Sequence, residues 1–583
     1  MSMRRRGFGR KRSSAAAAAT AMAIALASTV IWSGAAPAAV PCSSPPQTFP
    51  TSQMTRGMYG IGYTVIQGDT LVPFDVEILG VLPNAIFLGI DVVAARITGP
   101  AAFVNITGGA VAGMSGSPIY INDRLAGAVA WAIAEDRQIF GMTAAEDMVQ
   151  MFSLPGAGQT ARGPERVPLT PEVSRAARAA GSALGPNPSL QALPLPLGVS
   201  GLNGIPLSKV ERSFSRRGVR VLPFRTGSVA VPSSTEIDPS RFAPGDGMGV
   251  GLSYGDVSYY GFGTTTAVCG DVAIGFGHPM FWGLGRISLG MNDVDILAVD
   301  NGTFWGSKIG TIGALHGEMT QDRFAGVAGV FGQFPYLVGV TSRMSSPDTG
   351  LSRDGETQIA WDEGWFVADA ATYHAWSNLT YVRQQDGPGT LRFAWKIEGA
   401  REDGSAFTVS NYLMDYDRNS AASGVWRMGD ALYTLASNGF EDIEFTAVDM
   451  TAEVTESNLT SQISRIRLSS PLQPVLKTRN MVRARPGQTV TVEVTFDPVE
   501  GDDVVAKLKV KVPRRATGTE GVRLAGSKGR YRGVDAGSLD ELIWALSQGP
   551  HGNDLTVSAF GRSRIHPQKV VVKGSAGFAI EVV

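Results

Sequence analysis

The stretch Gly108–Ile133, GGAVAGMSGSPIYINDRLAGAVAWAI, decides how this chain is read. Its first half sets two serines, Ser115 and Ser117, among glycines and closes on Pro118. Its second half is an apolar run, a short turn at Asn122-Asp123-Arg124 and a strand of small residues from Leu125 to Ala130. That order predicts a β-hairpin entered through a tight glycine-rich turn. Gly, Ser and Pro are the common turn formers, so a plain connection between strands accounts for the composition. Glycine on both sides of Ser115 also offers what a plain turn does not need. Without Cβ atoms the backbone is free to take positive φ, and its N–H groups can converge on one point beside an exposed hydroxyl. A serine hydroxyl is a weak nucleophile that needs a neighbouring base and donors for a developing oxyanion. The N–H groups of Gly113 and Ser115 are the candidate donors. Ser117, restricted by the proline after it, fits a supporting position.

The chain around this turn has 583 residues, too many for one core, which predicts two to four domains. Hydrophobic residues make up 44% and charged ones 18%, the balance of a folded globular protein. The 71 glycines and 33 prolines lie among short Val-, Thr-, Ile- and Tyr-rich runs, as in sheets joined by many turns, so the expected class is mainly β. Net charge is -1 and no basic run occurs beyond the N-terminus, so nucleic acid is not an expected partner.

The N-terminus reads as an export signal. MSMRRRGFGRKR is a basic opening, AAAAATAMAIALASTVIW an apolar core, and GAAPAAV a small-residue stretch suited to cleavage after Ala38 or Ala39. Arg5-Arg6-Gly7-Phe8 resembles a twin-arginine signal, an ordinary basic opening being the simpler reading, and an uncleaved anchor is the third option. The expected location is outside the cytoplasm: periplasm, cell envelope or medium. Membrane association is expected only through that segment. Cys42 and Cys269 are the only cysteines, too few for a disulfide framework or a thiolate metal cage, and the sequence leaves open whether they pair. No metal or cofactor is expected.

Composition divides the chain into a signal over residues 1–39, a Pro/Ser-rich linker over 40–55 and a first β unit over 56–154. A loop-rich connector over 155–244 follows, with one helix starting near Pro171. A second β unit covers 245–343 and a β-rich region 344–465. Residues 466–583 read as a β-sandwich of immunoglobulin-like type, because Val490, Val492, Val494 and Phe496 alternate strictly and VVAKLKVKVP follows after a turn.

The Gly113–Pro118 turn and the strand after it resemble chymotrypsin-like peptidases, whose nucleophile lies in a G-x-S-G-x-P turn. The longer run from Gly108 to Ile133 resembles more closely the SpoIVB family, the stage IV sporulation protein B serine peptidases, with their G-M-S-G-S-P motif, hairpin and G-A-V strand. That resemblance implies a serine endopeptidase with Ser115 as nucleophile, acting on a few envelope or secreted proteins. The base must come from five histidines. His278, in AIGFGHP, stands in a glycine-histidine turn after a strand, as the family's histidine does; His316 is second, and His374, His551 and His566 read as structural. Gly249 to Gly263 and Met319 to Gly332, MTQDRFAGVAGVFG, resemble further family segments.

The halves come in reversed order. In the family the histidine half precedes the serine half, which implies a chymotrypsin-like double barrel circularly permuted about the connector, with additional β-rich C-terminal domains. The catalytic geometry of such a site does not depend on chain order. Where the family carries an acid in an I-T-D-P context, this chain has Ile97-Thr98-Gly99-Pro100. The orienting carboxylate is therefore sought at Asp293 or Asp295, with Asp91 third; a solvated turn or a weak cation site explains the two aspartates equally well. The family's peptide-binding PDZ module has no recognisable counterpart. The competing reading is a secreted, non-catalytic binding or scaffold protein that keeps the peptidase fold, for which Gly99 speaks.

Overall fold

The computed structural model describes residues 42–87, 89–155, 166–233, 237–281, 287–302, 304–526, 535–548 and 551–583. The signal expected over 1–39 lies outside them. Among the described residues no helix is long and apolar enough to cross a membrane.

The chain is mainly β and its first half folds as two closed barrels. The first is built from β1 (Tyr59–Val65), β2 (Leu71–Phe87), β3 (Ile90–Gly99), β4 (Pro118–Ile121), β5 (Arg124–Ile133) and β6 (Asp136–Ala144). The strands run in the order β4-β1-β2-β3-β6-β5, and β4 pairs back on β5 to close the ring, every pairing antiparallel. Period-two patterning fills it: Phe74, Val76 and Ile78 of β2 and Val93, Ala95 and Ile97 of β3 point into one core with Phe140 and Met142. The β4–β5 connection holds Asn122 at φ 50° and Asp123 at φ 60°, the left-handed pair that a two-residue hairpin turn requires.

The connector is more structured than its composition suggests. It supplies β7 (Arg166–Pro168) and β8 (Ser189–Ala192) to the edge of β5, and β9 (Leu195–Val199) and β10 (Val221–Arg225) to the second sheet. A helix over Pro171–Ala179, capped by Thr170 with proline at its first position, covers the outside of the first barrel through Val173, Ala176 and Ala177. Short Pro-interrupted strands leave too few residues for an alternating pattern, which is why the sequence reads as loop.

The second barrel consists of β11 (Gly247–Gly255), β12 (Tyr259–Cys269), β13 (Val272–Gly275), β14 (Leu289–Asp300), β15 (Ser307–Arg323) and β16 (Gly326–Phe331), in the order β12-β13-β16-β15-β14-β11 with β11 closing on β12. Two six-stranded antiparallel barrels side by side agree with the chymotrypsin-like expectation. From β11 the sheet runs on through five strands between Val338 and Thr455. Helices over Gly364–Arg383 and Trp426–Ala436 contribute to the same large core as those strands. The last part, from Thr460, is a sandwich: two five-stranded sheets share one core in which Val490, Val492, Val494 and Phe496 meet Val522, Leu524, Phe578 and Ile580.

A strap ties the barrels together. Gln47 and Phe49 hydrogen-bond Leu125 at the start of β5, Phe49 and Met54 enter the first core, and Cys42 is disulfide-bonded to Cys269 at the end of β12. The cysteine pairing left open by the sequence is thus made, across 227 residues of chain.

Candidate active site

The Gly113–Ser117 turn lies where the first barrel meets the second. Gly113 has φ +88° and Gly116 φ +98°, the left-handed region in which a side chain is strained. At Gly116 space is also absent: a Cβ there would lie 1.9 Å from the carbonyl oxygen of Thr264 and 2.5 Å from the nitrogen of Phe276, both backbone atoms of the second barrel. Two peptide planes in the turn are fixed from behind. The Ala112 carbonyl accepts from Lys308 N–H at 2.9 Å and the Met114 carbonyl from Ser117 N–H at 2.8 Å. In a trans peptide the N–H points opposite to the C=O, so these bonds aim the N–H groups of Gly113 and Ser115 away from the scaffold. Among the described residues neither N–H donates to a protein acceptor. Backbone donors without a protein acceptor beside a serine hydroxyl are what an oxyanion site requires.

Ser115 Oγ lies 2.8 Å from His278 Nε2, although 163 residues separate the two in the chain. His278 follows β13 through Phe276 at φ +64°, a strained position for a side chain, and Gly277 at φ +68°, where glycine is at ease, and this turn brings the ring to the first barrel. Thr143 of β6 donates to the Gly277 carbonyl and holds this turn. His278 Nδ1 is 2.8 Å from the Pro279 carbonyl, which can only accept. The hydrogen bonds therefore assign the proton to Nδ1 and leave Nε2 to accept from the serine hydroxyl. Burial pushes the imidazole down to about 4, against a rise from the Pro279 contact and a further lowering from Arg220. At neutral pH the ring is uncharged, as a general base must be. Ser115 and His278 are each only 4% exposed.

The aspartates go elsewhere. Asp293 accepts from Arg241 at 2.9 and 3.1 Å and from His316 Nε2 at 3.2 Å, and Asp295 accepts from the same Arg241 at 3.0 Å. His316, the second candidate base, takes the Asp238 N–H on its other nitrogen and packs edge-on to Phe242. Asp91 accepts from Asn84 N–H on the first barrel. At Gly99, where the family acid was expected, a Cβ would meet Asp75 Oδ2 at 3.1 Å, so a carboxylate there would face a second one. The acceptor seen on His278 Nδ1 is thus a backbone carbonyl. Among the described residues no three His, Cys, Asp or Glu side chains gather to hold a metal ion.

Several residues around the dyad were not anticipated. Thr264 of β12 donates its N–H to the Ser115 carbonyl at 2.7 Å and its hydroxyl to the Gly113 carbonyl at 2.8 Å, while Thr266 donates to the Gly116 carbonyl at 2.7 Å. The second barrel thereby holds three carbonyls of the serine turn. Ser117, the other serine, is fully buried and donates to Thr64 Oγ1 at 2.9 Å. On the histidine side, buried Asp322 accepts the N–H groups of Met280 and Phe281 at 2.8 and 2.9 Å, and burial pushes its carboxyl up to about 6. Asp322 lies within MTQDRFAGVAGVFG, the segment that resembles the family; that resemblance was the one signal for it in the sequence.

A hydroxyl on a neutral imidazole, in a turn with two N–H groups that no protein acceptor takes among the described residues, has the parts that acyl transfer needs. The family model described as SpoIVB peptidase S55 matches residues 46–149. The matched segment spans the first barrel and includes Ser115, and it ends before the second barrel and His278. No curated protein matches the chain. No solved structure matches it either.

Proposed function

We propose that this chain is an exported serine endopeptidase of the SpoIVB type with its barrels in permuted order. His278 Nε2 takes the Ser115 proton as Oγ attacks a peptide carbonyl. The N–H groups of Gly113 and Ser115 hold the oxyanion, and the imidazolium then protonates the leaving amine; water repeats the cycle on the acyl-enzyme. The observation that carries this reading is the 2.8 Å Ser115–His278 contact, with Nδ1 occupied by a carbonyl so that Nε2 faces the hydroxyl. Ser115 and His278 are both buried. Export is supported by the basic-apolar N-terminus and by the Cys42–Cys269 bond, which persists in oxidising compartments. Substrates on this reading are envelope or secreted proteins.

The non-catalytic reading draws on Gly99 and on the same burial. A fluorophosphonate probe separates the two. Wild-type protein is expected to be labelled, and Ser115→Ala and His278→Ala not. Wild-type protein that stays unlabelled, folded and with its disulfide intact, would overturn the peptidase reading in favour of a binding protein.

A further inference from the structure

Lys308 stands out among the groups that the mechanism above leaves unused. It lies on β15, is 0% exposed, and its Nζ donates to Thr64 Oγ1 of the first barrel at 2.7 Å and to Thr264 Oγ1 of the second at 3.3 Å. Thr64 also accepts from the Ser117 hydroxyl, and the Thr264 hydroxyl donates to the Gly113 carbonyl. The lysine stem runs along Gly113: a Cβ on that glycine would meet Lys308 Cβ and Cδ at 3.1 Å and Cγ at 3.2 Å. Its backbone N–H is the donor that fixes the Ala112 carbonyl and so aims the Gly113 N–H. The groups facing Nζ are hydroxyls from β1 and β12, and among the described residues no carboxylate lies within ion-pair distance.

A buried ammonium without a counter-ion is costly, and replacing such a group with an apolar one of like shape is commonly neutral or stabilising. Stability therefore does not explain the cation. Its position does: it is one hydroxyl removed from the Gly113 carbonyl, and its stem supports the glycine whose N–H faces the oxyanion.

We propose that Lys308 is a positioning residue of the oxyanion site, ordering the Gly113–Ser115 peptides through Thr264 and supplying positive charge that the tetrahedral oxyanion complements. This rests on the peptidase reading above. Burial alone pushes the amine down to about 7, so its charge is marginal in the resting site. A negative oxyanion nearby favours the ammonium, and by linkage the ammonium favours the oxyanion.

The test compares wild type, Lys308→Met and Thr264→Val by fluorophosphonate labelling rate across pH and by thermal unfolding, with Ser115→Ala as the unlabelled reference. Methionine keeps the stem against Gly113 and removes the cation. Labelling of Lys308→Met is expected to slow about 10- to 100-fold, the scale of a misplaced oxyanion donor, and to lose an inflection near neutrality. Its melting temperature is expected to stay level or rise, whereas a merely structural role would lower stability and rate together. Labelling of Lys308→Met at the wild-type rate and pH profile overturns the proposal and leaves the nucleophile assignment standing. If Lys308→Met does not fold, Thr264→Val decides: unchanged labelling there overturns the proposal equally. Absence of labelling in wild type removes both the peptidase reading and this one.

Discussion

Removing the Cys42–Cys269 bond tests how the two barrels are held together. The bond closes a span of 227 residues that includes the whole first barrel and the connector. In the chain-entropy account a cross-link stabilises by restricting the unfolded chain, with a logarithmic dependence on loop length, and a loop of this size is worth about 5 kcal/mol. The native geometry adds a second effect. The strap from Cys42 is paired to Leu125 of β5, while Cys269 ends β12, the strand whose Thr264 and Thr266 hold the serine turn. Cutting the bond frees one end of β12 from the first barrel, so the interface should open before either barrel melts. The assay is urea unfolding of wild-type protein and of a Cys42→Ser/Cys269→Ser variant, followed by circular dichroism and by fluorophosphonate labelling of the same samples. The expected outcome is a lower unfolding midpoint, on the order of 1 M urea, with labelling lost at lower urea than the secondary structure. Coincident curves for the two proteins, or two free thiols in denatured, unreduced exported protein, would refute the reasoning.

Three further outcomes follow from the site. Gly116→Ala drives a Cβ into the Thr264 carbonyl and adds strain at φ +98°, so labelling should drop by about 100-fold or more while strand content by circular dichroism is retained. Burial depresses His278 to about 4, so the acid limb of the labelling rate should lie closer to pH 4 than to the ordinary histidine value. Because the folded pKa is the lower one, the unfolded chain binds the extra proton first. Stability should fall as pH drops below about 6.5 toward 4, and His278→Gln should reduce that fall. Asp322→Asn leaves one acceptor for two N–H groups and should cost about 1–3 kcal/mol in denaturant unfolding, with slower labelling. Burial raises the Asp322 carboxyl to about 6, so its contribution to stability is full below about 3.8 and is lost as pH rises through 6, a trend the asparagine variant should not show.

What the sequence made legible were the features encoded locally. The glycines flanking Ser115 are needed for positive φ and close approach, and their spacing exposes that need; the glycine-histidine turn at His278 reads the same way. Alternation revealed the sandwich strand through Val490–Phe496 because Val490, Val492, Val494 and Phe496 all enter the core. The residues that align the dyad were silent for the opposite reason. Thr264, Lys308 and Asp322 look like ordinary strand residues, and each acts only on a segment brought to it by barrel closure. Asp293 and Asp295 attracted notice by nearness in sequence to His278, but Arg241 and His316 engage them in space. The helix over Gly364–Arg383 went unread because it is buried nearly all round and so lacks the polar stripe that marks a surface helix.

The placement of the serine barrel ahead of the histidine barrel has a consequence for biosynthesis. The hydroxyl emerges 163 residues before its base, and Cys42 emerges 227 residues before its thiol partner. A chain that ends before the second barrel carries a serine turn without its base and without the Thr264, Thr266 and Lys308 contacts that shape it. On the peptidase reading proposed above, barrel order leaves Ser115 without a base until β13 has been made, and the Cys42–Cys269 bond can close only where the surroundings are oxidising.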